Sequence, residues 1–168
     1  RLGIEEGKIL APKSGLLKKL VTFCPTANAE DLRNALFSAG AGNISNYSEC
    51  SFNVDGLGTF KANDNANPYV GQKGFQHKET EVRIETIFKT QDERKIVLAL
   101  LENHPYEEVA YDIYTLSNKL DNVGAGIIGW LPEEMNSTDF LRHVKEKMNT
   151  KVIRHTSLLP KKIKKVAV

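Results

Sequence analysis

Residues 102–116, ENHPYEEVAYDIYTL, bring together one imidazole (His104), three carboxylates (Glu107, Glu108, Asp112) and three phenols (Tyr106, Tyr111, Tyr114), with Glu102 just upstream. These side chains can serve as general acids and bases or as metal donors. A carboxylate beside His104, from Glu107 or Glu108, would raise the imidazole pKa and make it a usable acid. A metal ion needs three or four converging ligands, and His104 with Glu107 supplies two. A simpler reading also fits. His104 sits at a helix end just before Pro105, where an imidazole interacts with the last carbonyls and the negative end of the dipole. Strand alternation puts Asp112 on one face with Ala110 and Tyr114, and Tyr111 on the other with Val109 and Ile113. The carboxylates therefore do not all meet on one side. No nucleophile or oxyanion group accompanies them, so no catalytic residue and no metal ligand is assigned.

Three further stretches have chemical precedents. GAGIIG (124–129) has the spacing of a dinucleotide-binding turn. That turn needs a strand before it and a helix after it, because the pyrophosphate rests on the helix N-terminus. Here a polar turn precedes, and Ile127, Ile128 and Trp130 favour a strand. The glycines then read as positions of close backbone approach or a bulge. KKIKK (161–165) resembles an import patch, but also reads as lysines guarding a strand of Ile163, Val166 and Val168. AGAGNISNYSECSF (39–52) is Gly-rich enough to offer backbone N–H groups to an anion, yet it reads better as a helix C-cap and tight turn, with Tyr47 and Cys50 in a strand.

These segments need a scaffold, and the chain is long enough to supply one. Its 168 residues, 40% hydrophobic and 26% charged, suit one globular domain with or without an appendage. A net charge of +2 gives no field directed at nucleic acid or a membrane surface. No apolar run reaches the roughly 20 residues that span a bilayer. The opening RLGIEEGKIL is charged and carries no signal-peptide core, and Cys24 and Cys50 make no disulfide framework. Reduced thiols and a cytoplasmic location are expected. The four histidines show no metal-ligand spacing. The terminal KKIKKVAV reads as a strand just starting, which suggests a piece of a longer protein.

The elements follow from periodicity and breakers. Residues 1–15 read as a linker. LLKKLVTFCP (16–25) is a strand ended by Pro25, and NAEDLRNALFSAG (28–40) a helix with Asn28 as cap and Leu32, Ala35, Leu36 and Ala39 inward. YSECSFNVDGLGTFKAN (47–63) reads as two short strands around DGLG, a hairpin signal. Residues 62–78 form an unusually long polar connection. ETEVRIETIFKT (79–90) alternates, with Val82, Ile84, Thr86 and Phe88 on one face. Thr90 and Glu93 suggest a capping box for a helix over 91–103 whose buried stripe is Ile96, Val97, Leu100 and Leu101. A strand over 108–116 completes the order β-α-β-β-α-β. The plan is α+β and ferredoxin-like: an antiparallel sheet with two helices on one face. A further β-α-β extension follows, with strands at 124–131 and 151–156 and a helix at 136–148 capped by Asn136.

Taken in order, AGAGNISNYSECSF, GLGTFKANDNANPYVG, KETEVRIETIF, ENHPYEEVAYDIY and GAGIIGWL resemble the inserted middle domain of the NGG-interacting factor three family. Its bacterial members carry the label GTP cyclohydrolase I type 2 homologue. The resemblance runs from about Leu16 to Val168. It implies a PII/CutA-like domain over 16–160, with 1–15 leading in from an N-terminal metal-binding half and 161–168 opening a C-terminal half. In that family the halves together hold two divalent metal ions, and neither half is represented here, so the resemblance implies no cofactor on this segment. It implies homo-oligomers, a trimer of the module and a hexamer of the parent protein, without membrane or nucleic-acid partners. It also implies a regulatory or assembly role that gates a metal-dependent, cyclohydrolase-like body, with no catalysis by the segment itself. The alternative is a small-ligand or metal sensor of the PII/CutA kind, with Tyr47, His104, Glu107 and Glu108 as ligand-binding candidates and the 62–78 loop as a lid. Two departures stand out: Ser45 occupies a position usually Gly, and Ala125 and Ile127 replace Leu and Arg, so no role needing a cation at 127 carries over.

Overall fold

The computed structural model describes residues 2–168. In chain order its elements are β1 (Glu5–Pro12), β2 (Leu17–Pro25), α1 (Ala29–Ser38), β3 (Ser51–Lys61), β4 (Gln76–Lys89), α2 (Glu93–Asn103), β5 (Tyr111–Thr115), β6 (Gly124–Met135), α3 (Ser137–Lys147) and β7 (Ile163–Ala167). They form two compact units, one of Ser14–Asn118 and one of the flanking stretches through Lys13 and from Lys119 to Val168.

The first unit is a four-stranded antiparallel sheet in the order β3-β4-β2-β5. The β-α-β-β-α-β order read across 16–116 is the order observed. Alternation in β4 turns Val82, Ile84 and Phe88 inward, where they meet Leu20 and Cys24 of β2. Leu32 and Leu36 of α1 and Ile96 and Leu100 of α2 close over that face, each fully buried. Both helices thus cover one side of the sheet.

Local differences from the sequence reading have physical causes. DGLG does not turn: β3 runs unbroken and pairs with β4 from Ser51↔Thr86 to Lys61↔Gln76. Eleven consecutive pairings outweigh a two-glycine turn preference. Leu101 is 47% exposed, because the face that packs is set by Ile96 and Leu100 one turn apart. Thr90 does not cap α2; its hydroxyl donates to the Gly15 carbonyl at 2.8 Å. Asn28 precedes α1 without a side-chain capping bond. Asn136 does cap α3, accepting from the Asp139 N–H at 2.9 Å.

In the second unit β1, β6 and β7 form a three-stranded antiparallel sheet in the order β1-β6-β7. The stretch read as a linker therefore contains a strand, because Glu5–Pro12 finds its partner in β6 some 120 residues later, a pairing that local pattern cannot reveal. GAGIIG is strand, and its glycines allow close approach: a Cβ on Gly129 would lie 2.6 Å from the Glu5 carbonyl oxygen. Residues 151–156 form no strand; the strand after α3 is β7. In β7 Lys164 donates to the Pro132 carbonyl at 2.8 Å and Lys165 lies 5.0 Å from the centre of the Trp130 ring. The KKIKK lysines thus dress a sheet, as their spacing around Ile163 and Val166 suggested.

The contrast along α2 is testable. Leu100→Ala should cost about 2–5 kcal/mol in urea unfolding of the chain, and Leu101→Ala no more than about 0.5 kcal/mol.

Candidate functional site

The register that sends Val82 and Ile84 toward the helices sends their neighbours the other way. On the open face Val54 of β3 stands beside Arg83, and Arg83 beside Phe23, while Gly56 stands beside Glu81. A cavity of about 590 Å³ lies on this face. Two irregular segments complete its walls: Ala62, Ala66, Pro68 and Tyr69 after β3, and Tyr106, Glu107, Glu108 and Ala110 after α2. The segments hold each other. The Asn67 N–H donates to Glu107 Oε1 at 2.7 Å, and the Tyr69 and Tyr106 rings lie 6.2 Å apart, with Phe60 6.0 Å from Tyr106. The long 62–78 connection therefore belongs to the site.

Glu81 is the buried polar group of this wall, 8% exposed. The Tyr106 hydroxyl donates to its Oε1 at 2.8 Å. Its carboxyl occupies the space that a side chain at 58 would take, so a Cβ on Gly58 would collide with it. Burial, reinforced by the Glu81 hydrogen bond and charge, pushes the Tyr106 pKa far above the ordinary phenol value, so the hydroxyl stays a donor. Burial first, and Glu81 second, push the Cys24 thiol up to about 11, which leaves it an inert core residue. Beside the cavity, Lys19 and Arg83 both reach Glu85, at 2.8 and 2.9 Å, and the Lys19 hydrogen bond holds the Glu85 carboxyl below its usual range.

His104 does not line the cavity. It is 7% exposed, with Nε2 2.8 Å from the Phe23 carbonyl and Nδ1 accepting from the Tyr106 N–H at 3.1 Å. This pattern requires the neutral tautomer with its proton on Nε2. Burial lowers its pKa, against smaller raising effects from the Phe23 hydrogen bond and Glu81. Both ring nitrogens are committed, so His104 positions Tyr106 and has no free nitrogen for acid–base work. Glu107 and Glu108 do line the cavity. Tyr47 is 74% exposed on the turn before β3, joined to Ile44 by paired backbone hydrogen bonds of 2.9 Å, and is not among the lining residues. That turn holds Ser45 at φ 52°, in the left-handed region that favours glycine. Among the described residues no three His, Cys, Asp or Glu side chains come together as metal donors.

Sequence reasoning missed Glu81 and Gly58, and named Tyr106 and the loop holding Tyr69 without placing them on one cavity. Alternation in 79–90 puts Glu81 on the face opposite Val82 and Ile84, but nothing local says that distant loops will cover that face. The available signals were the length of 62–78 and the pair of glycines two apart in β3.

Fold and site together define an α+β chain of two antiparallel sheets and three helices, with an aromatic-walled cavity on one sheet face. The chain belongs to the Duf34/NIF3 (NGG1p interacting factor 3) family, whose model matches residues 1–168. It is 42% identical over 168 residues to the GTP cyclohydrolase 1 type 2 homolog of Halalkalibacterium halodurans and 40% to that of Bacillus subtilis, covering 99% of this chain and 45% of each relative. A crystal structure of a Bacillus cereus protein related to NIF3 superposes with a TM-score of 0.75 at 43% identity, over 99% of this chain and 44% of the other. The chain thus spans about half the length of the relatives it matches.

Two outcomes check the site. For His104, the unfolded state (pKa about 6.5) binds protons that the folded state rejects, so its stabilising effect is full above that pH and declines as pH falls toward the lowered folded value. His104→Gln should cost about 1–3 kcal/mol at pH 8, and the gap to wild type should narrow in denaturation below pH 6.5. Gly58→Ala should displace Glu81 from Tyr106, seen as a lowered tyrosine titration midpoint in ultraviolet absorbance.

Proposed function

We propose that this chain is a regulatory and assembly module of a larger dinuclear-metal protein resembling the GTP cyclohydrolase 1 type 2 homologues, and that it does no catalysis itself. On this reading Ser14–Asn118 is a ferredoxin-like, PII/CutA-like insert that gates a metal-holding body. On the same reading the two divalent ions belong to the metal-holding body. The module associates as a trimer within a hexameric parent in the cytoplasm. Among the described residues no helix is long and apolar enough to cross a membrane.

One observation carries the assembly role. Among the described residues of Ser14–Asn118 no helix covers the open face of the four-stranded sheet, which exposes Phe52 (67%), Val54 (45%) and Tyr114 (51%) around the Lys19–Glu85–Arg83 cluster. Strand β3 is also an eleven-residue edge. An apolar patch on an open face, with a long edge beside it, is what a sheet presents to a partner.

A second reading, a small-ligand sensor, is favoured by the cavity. Its volume falls in the range of ligand sites, about 300–1,000 Å³, and its walls join three distant parts of the chain. Glu107 and Glu108 would then contribute to binding, and His104 would act through Tyr106.

Light scattering on the eluting chain should give a mass three times 18.8 kDa, and Phe52→Lys with Tyr114→Lys should give a monomer with unchanged circular dichroism. A monomeric wild type at high concentration removes the assembly role.

A further inference from the structure

We propose that the cavity takes a flat aromatic ring carrying a cationic amidine- or guanidine-type group. The inference rests on the ligand-sensor reading and adds the ligand's chemistry. The walls select for a flat, apolar body: Phe23, Phe60, Tyr69 and Tyr106 offer ring surfaces, and Gly56 leaves its part of β3 without a side chain. Rings this close prefer a further ring at offset or edge-on geometry.

The polar groups select for charge. Asp55, Glu81, Glu107 and Glu108 line the cavity, and Arg83 is the single lining cation. Arg83 is already turned to Glu85 at 2.9 Å. Carboxylates only accept hydrogen bonds, so the complementary ligand brings donors. Glu81 carries this argument. Tyr106 occupies Oε1 and, among the described residues, no protein donor meets Oε2. The Glu81 residue is only 8% exposed, while Oε2 remains accessible to a ligand's donors. Planar guanidine-type groups match a carboxylate fork in geometry as well as charge. An anionic ligand such as a nucleoside phosphate would meet a lining with four acidic residues and no unpaired cation to offset them.

The test titrates the 168-residue chain by calorimetry with three bicyclic probes of similar size: 2-aminobenzimidazole as the cation, indole as the neutral ring and indole-2-carboxylate as the anion. The cation should bind with a Kd near about 1 mM or tighter, and at least about tenfold tighter than the anion. Glu81→Gln keeps an acceptor for Tyr106 and removes the charge. It should weaken the cation at least about tenfold and leave indole unchanged. Tyr69→Ala, at an exposed position, should weaken the cation and indole alike. Equal binding of the three probes, or preference for the anion, overturns the charge assignment and leaves the ligand-sensor reading standing. An unchanged cation affinity in Glu81→Gln does the same. Failure of every probe to bind wild type removes both. Should Glu81→Gln not fold, the wild-type preference among probes, together with Tyr69→Ala, decides.

Discussion

The hydrogen bond from Tyr106 to Glu81 is the contact on which the organisation of the open face depends. A carboxyl group placed on a sheet and then covered by loops is costly unless its oxygens find donors. The phenol supplies one, and burial keeps that phenol protonated. Its consequences spread in three directions. Gly58 must lack a side chain, because the carboxyl fills the space above it. Tyr106 must be held in place, which the buried His104 does by accepting its N–H and bonding to the Phe23 carbonyl. The segment so fixed then presents Glu107 to the Asn67 N–H, which orders the 62–75 stretch. Histidine, tyrosine and glutamate thus form a support chain from the end of α2 to the wall of a cavity.

This arrangement shows where the polar groups at the start of the chemistry-rich stretch 102–116 find their partners. Its imidazole is consumed by two backbone partners, its nearest phenol by a carboxyl group from β4, and one of its carboxylates by a backbone N–H. Asp112 and Tyr114 lie further along β5, on the open face but beyond the cavity, beside Val21 and Lys19. A dense cluster of titratable groups is more often held together by mutual hydrogen bonds than poised for turnover, because each buried polar group must be satisfied before any is free.

What the sequence made legible were features set by local period and composition. Leu32 and Leu36, Ile96 and Leu100, and the alternation of Val82, Ile84 and Phe88 specified both helices and their face of the sheet. What stayed hidden depended on partners distant in sequence. DGLG looked like a turn until eleven pairings with β4 held it straight; Glu5–Pro12 looked like a linker until β6 paired with it; Glu81 looked like a solvated strand residue until two loops covered it. Ser45 shows the same limit at the scale of one residue. A serine at φ 52° bears a strain that glycine would not, and the surrounding turn, closed by Ile44 and Tyr47, imposes it.

The open face is asked to serve two proposed purposes, and their geometry couples them. Val54 lines the cavity and is also one of the exposed apolar residues of the assembly face. Arg83 lines the cavity too, and joins the ion cluster centred on Glu85. A ligand that presses on Val54 or draws Arg83 away from Glu85 must change the surface offered to a neighbouring copy. Linkage then requires the reverse: association alters affinity for the ligand by the same factor. A module whose binding cavity and contact surface share side chains can therefore report occupancy through assembly without any hinge or domain movement. With one face of the four-stranded sheet committed to the helices, both purposes fall on the other.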